Sequence, residues 1–476
     1  AIHTKDLLNG TRNIGMYRMQ VFTDTMTGMH WHKHKVSARH YNEYKRQGKI
    51  MPVAVALGGD PVYTYSATAP LPENVDEYML AGFLRKKRVE LVKCITQPDI
   101  EVPADADIII EGYVDPNEEL IWEGPFRDHT GYYSLPDWYP RFHVTAITHK
   151  KDAIYPATIV GIPPQEDAWI GKATERIFLA PIKMTMVPEI KDMNMPVEGV
   201  FHNLVIATID KEYAGQGQKV MNAMWGAGQM MFNKILVLAD GKVKIDDYKA
   251  LAKYVFDNLN PATDVYFSQG PMDVLDHSCS KLGFGGKMCI DGTKKWEEEM
   301  TAPLVPFKLN SAFNAKALQS QYPEITSLND KLAREWEIPV LFVGIHKNRK
   351  GHVEELHNAL CKEASLQGIK MILYVEHTVE ADDIADVLWR FCNNLDPRRD
   401  HFYGGADKHI LGLDGTRKNK AFDGFERPWP NVIAADAPTI QSVDAKWDEL
   451  NLGTLIKSPS LKYQHQMYGE EAEVTE

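Results

Sequence analysis

Cysteine is scarce in this sequence, and an excess of basic charge is absent. The chain has five cysteines among 476 residues, and none of them forms a Cys-x-x-Cys pair. This pattern is typical of reduced thiols in a cytosolic protein rather than of a disulfide framework. A net charge of −12 argues against a general nucleic-acid binder, because neutralising phosphates requires a basic surface.

Long apolar runs are also missing. No segment approaches the roughly 20 apolar residues that a membrane-spanning helix requires, and we expect no signal peptide before the first polar segment. We therefore expect a cytoplasmic protein, with peripheral contact at the inner membrane if its substrate is apolar. The opening residues, from Ala1 to Asp6, are expected to enter a domain whose N-terminal portion lies upstream.

The first part of the chain carries strand-like patterns that Pro, Gly and Asp interrupt. These apolar or alternating segments predict a mainly antiparallel sheet or barrel. Apolar residues at helical spacing predict two helices within or just after this region. The predicted strands are Met51–Leu57, Val89–Thr96, Ile108–Val114 and Phe142–His149, and the predicted helices are Asn74–Lys87 and Asp167–Met184.

Beyond about Glu198 the pattern changes to alternating strands and helices, which predicts an α/β domain with a parallel sheet. The same order then recurs at one constant offset, so we infer an internal duplication. The matching positions are Val205 and Leu341, Ile235 and Met371, Asp257 and Asn393, followed by the pentapeptides Asp291-Gly-Thr-Lys-Lys and Asp414-Gly-Thr-Arg-Lys. The predicted domains are 1–197, 198–338, a lobe at 339–428 that resembles 198–299, and a tail at 429–476.

Polar residues near the start of the chain are candidate ligands for a hard divalent ion. The Asn13 amide oxygen, Glu77 and one histidine form an oxygen-rich set, which favours magnesium or manganese over zinc. Each residue also has an ordinary structural explanation, as a turn cap, a helix-start carboxylate or a solvated basic face. The candidate histidines are His30, His32, His34 and His40.

Glu123 and Asp128 form a candidate acid–base pair on either side of a Gly-Pro turn. Burial and mutual repulsion can raise the pKa of one carboxyl so that it delivers a proton, while Arg18 would keep the other ionised. A capped turn and a solvated aspartate explain the same spacing. Lys294 and Lys295 are candidate phosphate contacts, although a lysine pair at such a position is more often structural.

Several motifs in one order resemble the UbiD family of reversible decarboxylases, which use prenylated FMN. The resemblance runs from the first residues to about Trp296. The motifs are Asn13-Ile-Gly-Met-Tyr-Arg18, Met29-His-Trp-His-Lys-His-Lys35, Val53-Ala-Val-Ala-Leu-Gly-Gly-Asp-Pro61, Asp76-Glu-Tyr-Met-Leu-Ala-Gly82, Val92-Lys-Cys94, Glu123-Gly-Pro-Phe-Arg-Asp-His-Thr-Gly-Tyr-Tyr133 and Glu212-Tyr-Ala-Gly215.

The resemblance implies a split β-barrel flavin-binding domain, an α/β oligomerisation domain and a homo-oligomer. Manganese, and potassium as a further expectation, would be held at the cofactor phosphate, with Asn13, His34 and Glu77 as the manganese ligands. Arg18, Glu123 and Asp128 would match the family's catalytic triad. The residues that would line the flavin site are Met16, Tyr17, Arg18, His30, Trp31, His32, Lys35 and Val36, with Lys295 as a further phosphate contact.

The implied reaction releases CO2 from an aromatic or α,β-unsaturated acid, such as a polyprenyl-hydroxybenzoate or a naphthoate in ubiquinone or menaquinone synthesis. The flavin would serve as electron sink, Arg18 would orient the carboxylate, and Asp128 would protonate the carbon left behind. A flavin prenyltransferase would supply the cofactor. His30 departs from the arginine of close relatives, and the alternatives are an ordinary flavin reductase and a flavin carrier or inactive assembly subunit.

Overall fold

A computed structural model gives the fold of the chain, a mixed α/β protein. The structure describes residues 1–32, 35–72, 75–301, 303–304, 306–405 and 409–474. The chain divides into two compact units, of which the first comprises residues 1–126 and 134–159. The second comprises residues 127–133 and everything described from residue 160 onwards.

The first unit is built on a seven-stranded antiparallel sheet with the strand order β2-β1-β5-β8-β13-β4-β3. Three helices accompany it, Val36–Gln47 (α1), Pro61–Thr68 (α2) and Glu77–Arg85 (α3). The strands up to residue 149 are Ile2–Lys5 (β1), Arg12–Gly15 (β2), Val21–Thr23 (β3), Met26–Gly28 (β4), Met51–Leu57 (β5), Leu91–Lys93 (β6), Glu101–Pro103 (β7), Ile108–Val114 (β8), Ile121–Glu123 (β9), Phe126–Arg127 (β10), Tyr133–Ser134 (β11), Asp137–Tyr139 (β12) and Arg141–His149 (β13).

This sheet confirms the predicted antiparallel domain but not its closure. In the part of the chain that the structure describes, β2 and β3 are the two edges of the sheet and do not pair with each other. The core lies where α1 covers the central strands, and Met51, Val53 and Phe142 are fully buried there. Closure into a split barrel is therefore not seen, and the sheet is open.

The second unit contains two five-stranded sheets of the same topology, β14-β15-β16-β18-β17 and β19-β20-β21-β23-β22. The strands are Ile190–Asn194 (β14), Leu204–Ile209 (β15), Ile235–Asp240 (β16), Val265–Pro271 (β17), Phe284–Asp291 (β18), Ile325–Asn329 (β19), Val340–Ile345 (β20), Met371–Glu376 (β21), His401–Gly404 (β22) and Ile410–Asp414 (β23). The helices are Glu166–Thr185 (α4), Gln216–Trp225 (α5), Tyr248–Asp257 (α6), Pro261–Asp264 (α7), Ala315–Gln321 (α8), Lys331–Glu335 (α9), His352–Leu360 (α10), Ile384–Asn394 (α11), Lys420–Asp423 (α12) and Ala437–Asp444 (α13).

The two sheets support the inferred duplication and correct one detail of it. The three central strands of each sheet run parallel, as predicted, but both edge strands are antiparallel. An antiparallel edge strand arises where a short connection reverses the chain instead of a crossover helix. Each lobe is therefore a mixed sheet. The domain boundaries drawn from the sequence stay a prediction.

The repeated pentapeptide closes each lobe with the same contacts. The Thr293 amide and hydroxyl donate to Asp291, and the Lys295 amine donates to the Asp291 and Thr293 carbonyls at 2.6 and 3.0 Å. Lys418 donates likewise to the Asp414 and Thr416 carbonyls, at 2.9 and 2.7 Å. The repeated sequence therefore encodes a repeated structural clamp.

The tail at 429–476, whose polar sequence predicts an irregular segment, contains regular structure. It contains α13, and Trp429 and Val432 are buried within the second unit. Considering only residues with a described position, no helix is both long enough and apolar enough to cross a membrane.

Candidate functional site

Two predicted metal ligands, Asn13 and Glu77, lie at a junction between β2 and α3. Asp76 caps the helix, so Glu77 begins it, and Arg12 of β2 forms an ion pair with Asp76. The Ile14 amide, next to Asn13 in the chain, donates to Glu77 Oε2 at 3.0 Å. Strand and helix are thus joined at the residues that would bind the ion.

The electrostatics of this junction suit a cation. Burial raises the pKa of Glu77 to about 7, because its hydrogen bonds and the charge of Arg12 compensate only part of the desolvation. A bound cation would restore the charged carboxylate. The Asn13 side chain is buried and oriented by its amide nitrogen, which donates to Ser37 Oγ at 3.0 Å.

The third predicted ligand, His34, lies outside the described residues. Among those that are described, no three His, Cys, Asp or Glu side chains form a group that could hold a metal ion. The other histidines of the run have separate partners. His40 is buried on α1 and contacts Thr4 Oγ1 at 3.0 Å, whereas His30 and His32 contact each other through Nε2 atoms 2.5 Å apart.

Several predicted flavin contacts are grouped around the start of α1. The Tyr17 ring folds over Gly15, where any Cβ would lie only 2.2 Å from it, and it meets Trp31 edge-on with ring centres 6.5 Å apart. Met16 is exposed, and the Lys35 side chain, at the N-cap of α1, does not cap the helix. The helix start at Val36 therefore keeps backbone amide donors suited to an anion.

Trp31 provides an independent test of whether a polar cofactor fits here. Its indole Nε1 is buried and finds no hydrogen-bond partner among the residues that the structure describes. A buried N–H group without an acceptor is costly. An acceptor oxygen supplied by a bound flavin would satisfy it.

Arg18 and Glu123 form a buried bidentate ion pair within the first unit. Arg18 Nε and Nη2 donate to Glu123 Oε1 and Oε2 at 2.7 and 2.9 Å, and Glu123 is completely buried. The guanidinium also lies 4.6 Å from the centre of the Phe126 ring. Paired hydrogen bonds of this kind fix both position and orientation.

His30 contacts both members of this ion pair. Its Nδ1 lies 2.8 Å from Glu123 Oε2 and 2.7 Å from Arg18 Nη2, and its ring lies against Tyr139 with centres 4.1 Å apart. Burial alone would raise the pKa of Glu123, but the hydrogen bonds from His30 and Arg18 outweigh it and lower the pKa to about 2. Glu123 is therefore a permanent anion at neutral pH. His30, predicted as a flavin contact, is observed as a partner of this carboxylate.

Asp128 belongs to the second unit, and its partners are described there. Its Oδ1 accepts from the His129 backbone amide at 2.7 Å and lies 2.8 Å from His129 Nδ1. Asp167 Oδ2, at the start of α4, is 3.7 Å from the same ring nitrogen. The prediction that Asp128 shares a cavity with Glu123 stays a prediction.

Lys295 is held by the clamp at the end of β18. Its side chain is 5% exposed, and its amine donates to two backbone carbonyls there. Lys418 repeats this arrangement in the second lobe, which favours a structural role for both lysines. A phosphate contact for Lys295 stays a prediction without a supporting contact.

The sequence did not single out His202 or Asp167 as functional. His129 stood beside Asp128 in the quoted motif, but His202 is 73 positions further along the chain and has no spacing signal. Only the fold brings its ring to His129.

Two family models match this chain. One is described as the UbiD 3-octaprenyl-4-hydroxybenzoate carboxy-lyase Rift-related domain and matches residues 1–163. The other is described as the C-terminal domain of the same carboxy-lyase and matches residues 168–292 and 308–420.

Curated relatives extend over much of the chain. An uncharacterized protein of Archaeoglobus fulgidus is 52% identical over 299 residues, which is 62% of this chain and 61% of the relative. An uncharacterized protein of Helicobacter pylori strain J99 is 37% identical over 449 residues, or 94% of this chain and 70% of the relative. The chain therefore spans about three fifths of the length of the Archaeoglobus relative. It also spans 60% of the length of an uncharacterized protein of Aquifex aeolicus.

Solved structures share the fold. The UbiD-class enzyme HmfF from Pelotomaculum thermopropionicum, in complex with FMN, is 26% identical with a TM-score of 0.56, covering 64% of this chain and 68% of that one. An evolved dimeric form of HmfF in complex with prFMN is also 26% identical, with a TM-score of 0.54. This match covers 63% of this chain and 66% of that one. Vanillic acid decarboxylase from Sedimentibacter hydroxybenzoicus, in closed form, is 24% identical with a TM-score of 0.59 and 68% coverage of each chain, a likeness of fold alone.

Proposed function

This chain belongs to the UbiD family, whose two domain models match most of its length, and from that membership we propose that it is a prenylated-FMN-dependent decarboxylase. Its reaction would be the reversible, non-oxidative decarboxylation of an aromatic or α,β-unsaturated carboxylic acid. The observation that carries this proposal is the buried Arg18–Glu123 pair beside the residues suited to a flavin. A guanidinium whose position and orientation are fixed by such a pair is suited to orienting a substrate carboxylate.

Each residue has one task in this proposal. Arg18, fixed by Glu123, orients the substrate carboxylate. Asp128 delivers the proton to the carbon that CO2 leaves, which is general acid catalysis. The prenylated flavin, when bound, supplies the electron sink for the bond that breaks.

The cofactor would be held by residues of the first unit. Tyr17 and Trp31 supply ring and N–H contacts, and the α1 start at Lys35 and Val36 suits the phosphate. The remaining predicted contacts are Met16, His30 and His32. Mn2+ would bind Asn13, Glu77 and His34, with K+ as a further ion.

The substrate proposal is a class. Candidates are a polyprenyl-hydroxybenzoate or a naphthoate from quinone synthesis, and the partners would be a flavin prenyltransferase and further copies of this chain. The test is to co-express the chain with a flavin prenyltransferase and to measure the absorption and mass spectra of the released cofactor together with bound manganese. Prenylated FMN with manganese is expected. Unmodified FMN without manganese, and its reduction by NADH or NADPH, would favour a flavin reductase instead.

Asp128→Asn tests the proton donor. We expect hydrogen–deuterium exchange at the product carbon to fall by at least about 100-fold, with cofactor content unchanged, because asparagine cannot supply the proton. Asp24→Asn, at an exposed aspartate, is the matched control and should keep the wild-type rate. Unchanged exchange in the Asp128 variant would remove this residue from its role.

Lys295→Met and Lys418→Met distinguish a structural role shared by both lysines from a phosphate contact of Lys295. A structural role predicts that both variants lose stability to a similar degree, by about 1–3 kcal/mol, because carbonyls lose their donor. Flavin content per folded chain should stay equal in the two. Flavin loss confined to Lys295→Met would support the predicted phosphate contact.

A further inference from the structure

A chain of three polar side chains runs inward from Asp128 within the second unit. His129 Nδ1 lies 2.8 Å from Asp128 Oδ1, and His129 Nε2 lies 3.1 Å from His202 Nε2. The two imidazole rings meet edge-on with centres 5.3 Å apart. Asp128 is thus linked through one imidazole to a second one, which is buried.

The proton positions in this chain follow from its geometry. The two facing Nε2 atoms need one proton between them, and His129 Nδ1 needs a proton to bond a carboxylate. When His129 supplies both protons it is an imidazolium and His202 is a neutral acceptor. When His202 supplies the Nε2 proton instead, His129 is neutral and offers the Asp128 carboxylate a hydrogen bond without a positive charge.

The surrounding charges favour the imidazolium. Burial lowers the pKa of His129, but the Asp128 hydrogen bond and the charges of Asp167, Asp128 and Asp273 outweigh it and raise the pKa to about 9. Burial lowers the pKa of His202 to about 4, so this ring is neutral at pH 7. Lys234 and His129 also lower the pKa of His202, whereas Asp273 and Asp276 raise it. Glu166, at the start of α4, also interacts with His129, and burial raises its pKa to about 7.

The two residues before His202 have strained backbone conformations. Val200 and Phe201, which precede it, both have left-handed backbones with φ of 43° and 52°. This region is strained for side-chain-bearing residues and above all for a β-branched one. The Phe201 ring packs 5.5 Å from the His129 ring, and Gly171 of α4 makes room for it, since a Cβ there would lie 2.7 Å from Phe201.

We propose that His129, backed by His202, is a positioning and proton-relay residue that keeps Asp128 supplied with the proton it delivers. This inference rests on the proposed function, because it assumes that Asp128 is the proton donor. In the step, the proton on His129 Nδ1 passes to the Asp128 carboxylate, and the carboxylic acid so formed protonates the carbon. His129 remains neutral with its Nε2 proton toward His202 and regains a proton from water, so that no electrons are exchanged.

The first experiment needs no substrate. Histidine-labelled protein is titrated by NMR between pH 5 and 10.5, and His129→Gln and His202→Gln assign the two resonances. We expect His129 to be doubly protonated at pH 7 and to titrate near pH 9, and Asp128→Asn to lower that pKa by more than one unit. A pKa near 6.5 that Asp128→Asn leaves unchanged would overturn the relay.

The second experiment measures the pH profile of delivery in the holoenzyme. The probes are 4-hydroxybenzoate, 1,4-dihydroxy-2-naphthoate and cinnamate, with exchange of the product carbon proton in D2O as readout. Wild type should keep exchanging until the pH rises through about 9. In His129→Gln the alkaline limb should move down by at least two pH units, with about tenfold or greater loss at pH 7.5, because an isolated carboxyl near pKa 4 holds no proton there.

His143→Gln is the matched control, since His143 forms a contact of similar length, 2.7 Å, with Glu118 in the first unit. It should leave the profile unchanged. A profile that moves equally in both variants, or in neither, would contradict the relay. A holoenzyme that exchanges none of the probes counts against the proposed function, while the NMR titration still decides the relay.

Discussion

Glu123 and Asp128 are five positions apart in the sequence, yet their surroundings differ in kind. Glu123 is completely buried and meets a permanent cation, Arg18, through two hydrogen bonds. Asp128 is partly exposed and meets a titratable group, His129. A carboxylate beside arginine stays an anion across the physiological range, whereas one beside histidine can exchange a proton.

This difference separates two roles that the sequence left open. A general acid must gain and lose a proton near the working pH, and a carboxylate that fixes an arginine must not. The depressed pKa of Glu123, about 2, excludes it as a proton donor at neutral pH. Both carboxylates contact a histidine, but Glu123 is also held by Arg18 and stays ionised, so Asp128 is the one of the two suited to exchanging a proton with its histidine.

The largest effect is expected from removing the permanent anion. Glu123→Gln leaves the Arg18 charge buried without its counter-charge, so we expect turnover to fall about 1,000-fold and stability to fall by about 3 kcal/mol. Turnover per bound flavin and urea unfolding measure the two effects. Glu118→Gln, at the partly exposed partner of His143, is the control and should cost under about 1 kcal/mol. Wild-type turnover in Glu123→Gln would remove the distinction between the two carboxylates.

A somewhat smaller effect is expected on the stability of the protein at acidic pH. The pKa of Glu123 is about 2 in the fold against 4.5 for an unperturbed glutamate, so its stabilisation is present above pH 4.5 and is lost as the pH falls toward 2. The shift corresponds to about 3 kcal/mol at most. The stability gap between wild type and Glu123→Gln should therefore narrow from pH 5 to pH 3 in urea titrations. A gap that stays constant over this range would show that Glu123 is not held as an anion.

A smaller loss of stability is expected at alkaline pH, and here stability is lost as the pH rises. The pKa of His129 is about 9 in the fold against 6.5 for an unperturbed histidine, so its stabilisation is complete below pH 6.5 and is lost as the pH rises through 9. We expect about 2 kcal/mol, since the pair is partly exposed and screened. Wild type and His129→Gln should converge in stability between pH 7 and pH 10, whereas Glu123→Gln should keep its gap to wild type there.

The smallest effect should come from the buried imidazole. His202→Gln keeps an acceptor for His129 Nε2 and should move the His129 pKa by less than about half a unit, whereas His202→Leu removes the acceptor and should lower that pKa by about one unit. NMR titration of His129 measures both variants. Equal shifts in the two would show that His202 acts by packing alone.

Much of the fold was predictable because its signals are local. The strands Met51–Leu57 and Ile108–Val114 have the predicted bounds, since runs of apolar and β-branched residues between turn residues define a buried strand. The helix predicted at Asp167–Met184 is observed at Glu166–Thr185. The duplication was visible because equal elements return at equal spacing. Edge-strand direction and the open first sheet were not predictable, because pairing partners are chosen over long distances.

The candidate site shows the same distinction between local sequence signals, which were predictable, and long-range contacts, which were not. Motifs close in the chain identified Arg18, Glu123, Asp128, Asn13 and Glu77 as polar residues that a core would not use without a reason. Their partners came from elsewhere. His30 joined the Glu123 corner through a contact spanning 93 positions, and Lys295 proved to be fixed by its own lobe.

The sequence by itself determined the family, the two similar α/β lobes and the identity of the charged residues, because these depend on residue type and spacing. The tertiary structure alone decided which charge faces which. It buried Glu123 against Arg18 and placed His129 and His202 behind Asp128. The pKa of a carboxyl depends on neighbours within a few ångströms, and residues far apart in the chain become neighbours only when it folds.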